Sequence, residues 1–93
     1  MTLLLKDPGA TLDYAVDWGA EYLTDDYLAE SRWAIHPEED AGATITGSRH
    51  DDKVAVAQIA GGVPGHIYRI SNHVRTASGG EDSRSIMLRV ETR

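Results

Sequence analysis

The segment Gly65-His-Ile-Tyr-Arg-Ile-Ser-Asn-His-Val-Arg-Thr76 decides the fold. From Ile67 onward it alternates with period two. Tyr68, Ile70, Asn72, Val74 and Thr76 share one face, and Ile67, Arg69, Ser71, His73 and Arg75 share the other. Such alternation marks a strand with one buried side. Tyr68 stands two residues ahead of the inward Ile70, at the start of a late strand. That is the pattern of a tyrosine corner, in which the ring packs inward and the hydroxyl bonds to backbone, pinning the strand entrance.

The neighbouring stretches read the same way. Arg84–Val90 turns Ile86, Leu88 and Val90 inward, and Gly79-Gly80 joins it to the preceding strand as a hairpin. Gly61-Gly-Val-Pro-Gly65 is a turn leading into the Tyr68 strand. Near the start, Thr11–Trp18 places Leu12, Tyr14, Val16 and Trp18 on one face and Asp13 and Asp17 on the other. Ser31–His36 projects Trp33 and Ile35 together, and Pro37 with the acids after it ends that run. Ala43–Thr46 and Lys53–Ile59 are shorter strands, the second with Val54 and Val56 inward beside Ile59. Residues 19–30 form either a helical turn through Ala20, Glu21 and Leu23 or a loop.

Six or seven short strands at intervals of about 10 residues, punctuated by Gly and Pro, predict an all-β fold. The expectation is one immunoglobulin-like β-sandwich of about seven antiparallel strands, a single domain over residues 1–93. Trp33 takes the place of the buried tryptophan of such domains, and Ile70 that of the second cysteine. The expected core is Tyr14, Val16, Trp18, Trp33, Ile35, Val54, Val56, Tyr68, Ile70, Val74, Ile86, Leu88 and Val90.

Composition narrows the function. A chain of 93 residues hides roughly two thirds of its extended surface, enough for one core. No cysteine is present, which excludes disulfides and thiolate metal sites. Nine basic side chains against fifteen acidic give a net charge of −6, which disfavours binding to phosphate backbones. The charge is uneven: residues 1–65 carry 4 basic and 12 acidic side chains, and residues 66–93 carry 5 arginines and 3 acids. No window has the make-up of a signal peptide or of a membrane helix, so a protein without membrane contact is expected.

Catalytic and metal patterns do not stand out. His36, His50, His66 and His73 are not paired at two- or four-residue spacing, and Glu38, Glu39, Asp51 and Asp52 beside the first two supply no third fixed ligand. They read as polar residues at strand ends. The acidic pairs at Asp25-Asp26, Asp51-Asp52 and Glu81-Asp82 and the run Glu38–Asp40 lack the alternation and glycine of a calcium loop. Neither a nucleophile elbow nor a phosphate-cradling loop before a helix is found, so no enzyme, metal or cofactor is expected.

One surface remains. With Tyr68, Ile70 and Val74 inside, Ile67, Arg69, His73 and Arg75 face out, and on the next strand Met87 and Arg89 do too. Arginine and methionine are enriched at protein interfaces. Arg69, Arg75, Arg89 and Met87 are therefore the candidate protein contacts, with Trp18, Trp33, Tyr68 and Ile70 as the structural core beneath them.

Several phrases also resemble a known family: Asp7-Pro8, then Leu12-Asp13-Tyr14 and Asp17-Trp18, Ala29-Glu-Ser-Arg-Trp33, Gly61-Gly62, Gly65-His-Ile-Tyr68-Arg-Ile70-Ser-Asn72, and the closing Asp82-Ser-Arg84-Ser-Ile86-Met-Leu88-Arg-Val90. Together they resemble the small fibre-tail adaptor proteins of tailed bacteriophages and related prophages. Residues 42–53 depart from that pattern. The resemblance implies a non-enzymatic virion protein of the tail or neck, assembled in the host cytoplasm. Its expected partners are portal, neck, tail or fibre subunits and copies of itself around a ring. The competing reading is a bacterial immunoglobulin-like surface or carbohydrate-binding module, for which Tyr22 and Tyr27 are the available aromatic platforms.

Overall fold

The structure is a computed structural model and describes residues 3–19, 23 and 25–92. Its seven strands are β1 (Leu3–Lys6), β2 (Thr11–Asp17), β3 (Leu28–His36), β4 (Thr44–His50), β5 (Val54–Ala60), β6 (Ile67–Thr76) and β7 (Glu81–Val90). They form two sheets, β1-β7-β6-β3 and β2-β5-β4, packed face to face. This is the expected sandwich, in the strand arrangement of immunoglobulin-like domains, with the first strand placed beside the last. Tyr22 and the helical reading of Ala20 and Glu21 lie outside the described residues.

The alternations set the layers. In β6, Tyr68, Ile70, Asn72 and Val74 are fully buried, and opposite them in β7 so are Leu88 and Val90. Tyr68 closes the corner as expected: its hydroxyl accepts the Val63 N–H at 3.0 Å. The same hydroxyl donates to Glu39 Oε1 at 2.5 Å, which ties the loop after β3 to the base of β6.

Four expectations need correction. First, β1 was not foreseen, and it runs parallel to β7, Leu3 opposite Met87 and Lys6 opposite Val90, so the sandwich is not wholly antiparallel. Second, the face of β5 is reversed. Ala55, Ala57 and Ile59 are buried, while Val54 and Val56 are half-buried on the outer side. The cause is volume. Val16 and Tyr14 of β2 neighbour Ala55 and Ala57, and Trp18 and Trp33 reach over the same ground, so only small side chains fit. The Asp51 carboxylate fixes this phase by accepting the Lys53 and Val54 N–H groups at 2.8 Å each, at the hairpin that starts β5.

Third, the fully buried tryptophan is Trp18, at 0% exposure, and Trp33 is only partly covered. The Trp18 indole N–H donates to Asn72 Oδ1 at 2.8 Å, and Asn72 Nδ2 donates to Ser31 Oγ at 2.9 Å and to the Arg32 carbonyl at 3.0 Å. Three elements of the two sheets thus share one satisfied polar knot. The Arg84 guanidinium lies 4.6 Å from the Trp18 ring centre and caps it. Trp33 instead meets Tyr14 edge to face at 5.9 Å, where the two halves of the core join. Fourth, the strand expected over Ala43–Thr46 does not stop there: Gly47-Ser-Arg-His50 continues it, with a register shift after Ile45.

The turn before β6 explains its glycines. Gly61 and Gly62 both have positive φ, and a Cβ on Gly62 would stand 2.5 Å from Val90 Cγ2. Lys6 is buried at 1% exposure under this turn, its Nζ donating to the Gly61 carbonyl at 2.7 Å and to the Asp7 carbonyl at 2.8 Å. Burial pulls the Lys6 ammonium below the usual lysine value, with Asp7 opposing.

Candidate protein interface

The outer face of the four-stranded sheet is assembled by register. One row across it is Leu5, Arg89 and Ile67; the next is Leu3, Met87, Arg69 and His36. Leu3, Leu5 and Ile67 are 53%, 47% and 45% exposed, and among the described residues they make up three of the four large apolar side chains left in the open. Leu3 flanks the half-buried Met87 on β1, Arg89 stands between Leu5 and Ile67, and Arg69 stands on the other side of Met87, so apolar side chains and two cations alternate across this end of the face. Scattered apolar side chains are ordinary on a surface; a contiguous set marks a contact site. Arg89 pairs with Glu91 at 2.7 Å, both half in water. Arg69 has no ion-pair partner among the described residues.

The opposite end of this face is different. Arg75 bonds Glu30 Oε1 at 2.5 Å, and that bond above all raises its already high pKa. His73 bonds Ser83 through Nδ1 and Glu81 through Nε2, and the His73 bond is the main reason the Glu81 carboxyl sits below the usual range. The four predicted contacts are therefore not one cluster. Arg69, Arg89 and Met87 come together, and Arg75 lies in a self-paired polar patch at the far end. Sequence reading missed Leu3 and Leu5. Their signal was the Leu3-Leu-Leu-Lys6 run, which looks featureless until its parallel partner is known.

The remaining candidates are dispersed. His36 faces out beside Arg69, His50 donates to the Asp51 carbonyl, and His66 donates to Glu39 at 2.8 Å. The Tyr68 hydroxyl first, and the His66 ring second, hold the Glu39 carboxyl below the usual range. Among the described residues no three His, Asp or Glu side chains gather as metal ligands. Tyr27 stands half-exposed in a loop, with no second aromatic beside it among the described residues. An open cleft of about 380 Å³ between β3 and β4 is lined by Trp33, Ile35, Ala43 and Ile45 with Glu38, Glu39 and Thr44 at its polar side, and the Glu39 carboxylate is already held by Tyr68 and His66.

A family model, the podophage GP4 fiber-tail adaptor protein gp77, matches residues 6–89. The chain belongs to that family. It is thus a phage fibre-tail adaptor, a component of the virion that binds other tail and fibre proteins. No curated protein matches it. The match runs from Lys6, the last residue of β1, to Arg89, one residue short of the end of β7, and includes the outward Arg69, Met87 and Arg89 of the adaptor.

Proposed function

We propose that this adaptor joins the tail or neck of a podophage particle to its fibres in several copies around a ring, with the Arg69 end of its four-stranded sheet as a protein contact surface, and without catalysing a reaction. The observation that carries the reading is the exposed Leu3, Leu5 and Ile67 around the half-buried Met87, with Arg69 and Arg89 among them. Apolar side chains supply the burial, and the two guanidiniums supply orientation and partner choice. Repetition around a ring multiplies weak single contacts into stable attachment.

The test is particle assembly with Arg69→Glu/Arg89→Glu chains, compared with Arg75→Glu alone. Fibre content per particle is expected to fall roughly tenfold or more for the double variant, with the folded signal in circular dichroism unchanged. Arg75→Glu is expected to assemble nearly normally. Normal fibre content in the folded double variant would remove this contact assignment.

A further inference from the structure

We infer that the Arg69 end of the four-stranded sheet docks on the outer face of the three-stranded sheet of a second copy of this chain, head to tail. The inference rests on the contact-face reading above and names its occupant.

The second face is built by the β2–β5 register. Asp13 lies beside Gln58, Ala15 beside Val56, and Asp17 beside Val54. Asp13, Ala15 and Asp17 are exposed, and Val54 and Val56 are half-buried. The face is therefore small and apolar along β5 with two carboxylates along its β2 edge. Neither carboxylate has an ion-pair partner among the described residues; the Asp17 carboxylate accepts the Gly19 N–H at 2.9 Å, and its main-chain carbonyl accepts from Arg84 at 3.5 Å. Arg49, beside Val56 on β4, is the cation of this face and lies on the far side from β2.

The two faces complement each other in both respects that matter. Apolar Leu3, Leu5, Ile67 and Met87 meet Ala15, Val54 and Val56. Arg69 and Arg89 meet Asp13 and Asp17. Self-pairing of the Arg69 face about a two-fold axis would instead set arginine against arginine, which is costly at a desolvated contact. The faces also lie on opposite sides of one sandwich, so using both joins copy to copy without consuming either surface of the next. Such a heterologous contact closes into a ring when its rotation allows.

The chain contains no cysteine, which gives a clean background for cross-linking. Under mild oxidation, chains carrying both Met87→Cys and Val56→Cys are expected to form a covalent ladder beyond the dimer, while each single-cysteine chain stays monomeric. Independently, Arg69→Glu/Arg89→Glu chains and Asp13→Lys/Asp17→Lys chains are each expected to be monomeric alone by native mass spectrometry, because each has lost one face, and to assemble beyond the dimer when mixed, because the native faces pair and so do the two reversed ones. The second measurement stands if the cysteine chain fails to fold. Dimers of the Met87→Cys chain alone, or monomers throughout in both measurements, would overturn the head-to-tail assignment. Fibre content separates this from the adaptor reading: a missing ladder with fibres still lost in Arg69→Glu/Arg89→Glu particles removes self-docking and keeps the attachment contact.

Discussion

Tyr68 shows how one hydroxyl can hold two parts of a chain. Its ring is buried between the sheets, and its oxygen joins the Val63 N–H to the Glu39 carboxylate. Tyr68→Phe keeps the ring and leaves the Val63 N–H without its acceptor, so stability should fall by about 1–3 kcal/mol. Equilibrium denaturation measures it; a loss no larger than that of Tyr27→Phe at the exposed loop would mean the corner bond contributes nothing. Asn72 works similarly between Trp18, Ser31 and Arg32. The inward position of Asn72 follows from alternation alone. Its partners do not, because Trp18 lies 54 residues away and on the other sheet.

At the scale of elements, the strands with a bulky alternating face were legible, and those whose facing depends on neighbours were not. Val54 and Val56 look like core until one sees that Val16, Tyr14 and the tryptophans leave space only for Ala55 and Ala57. A four-residue strand such as β1 carries too little alternation to announce itself, and its pairing partner is at the other end of the chain. The exposed face suffered accordingly: β6 and β7 gave Arg69, Arg89 and Met87, but Leu3 and Leu5 came only with β1. Arg75 was grouped with them by strand parity, which ignores the Glu30 that β3 brings beside it. The turn under β1 can be tested directly. Gly62→Ala must adopt a positive φ and also displace Val90, so it should cost about 2–3 kcal/mol. Thermal unfolding checks this, and a loss equal to that of a Gly47→Ala chain, where a Cβ meets open space, would contradict it.

Over the whole molecule, several loops are fastened by ionised carboxylates. Hydrogen bonds from Ser78 and Thr76, with help from backbone, hold Asp26 at about 2. Glu39, Asp51 and Glu81 are also lowered, through Tyr68 and His66, through the Lys53 and Val54 amides, and through His73. Each of these pKa values is lower folded than unfolded, so each contribution is complete above the ordinary carboxylate range and disappears as pH falls through the folded value. The melting temperature is therefore expected to be level from neutral pH to the upper edge of that range and to drop steadily below it. The gap between wild type and Ser78→Ala should shrink as pH approaches about 2. A gap that stays constant across an acid series of melting curves would show that the Ser78–Asp26 bond does not depend on ionisation.

The side-by-side, same-direction course of β1 and β7 has a mechanical consequence. Tension between the segment before Leu3 and the segment after Val90 drags these neighbouring strands past each other lengthwise. All the bonds between them then resist together, instead of parting one by one like a zip. A load applied through the two ends would meet this clasp in its most resistant direction.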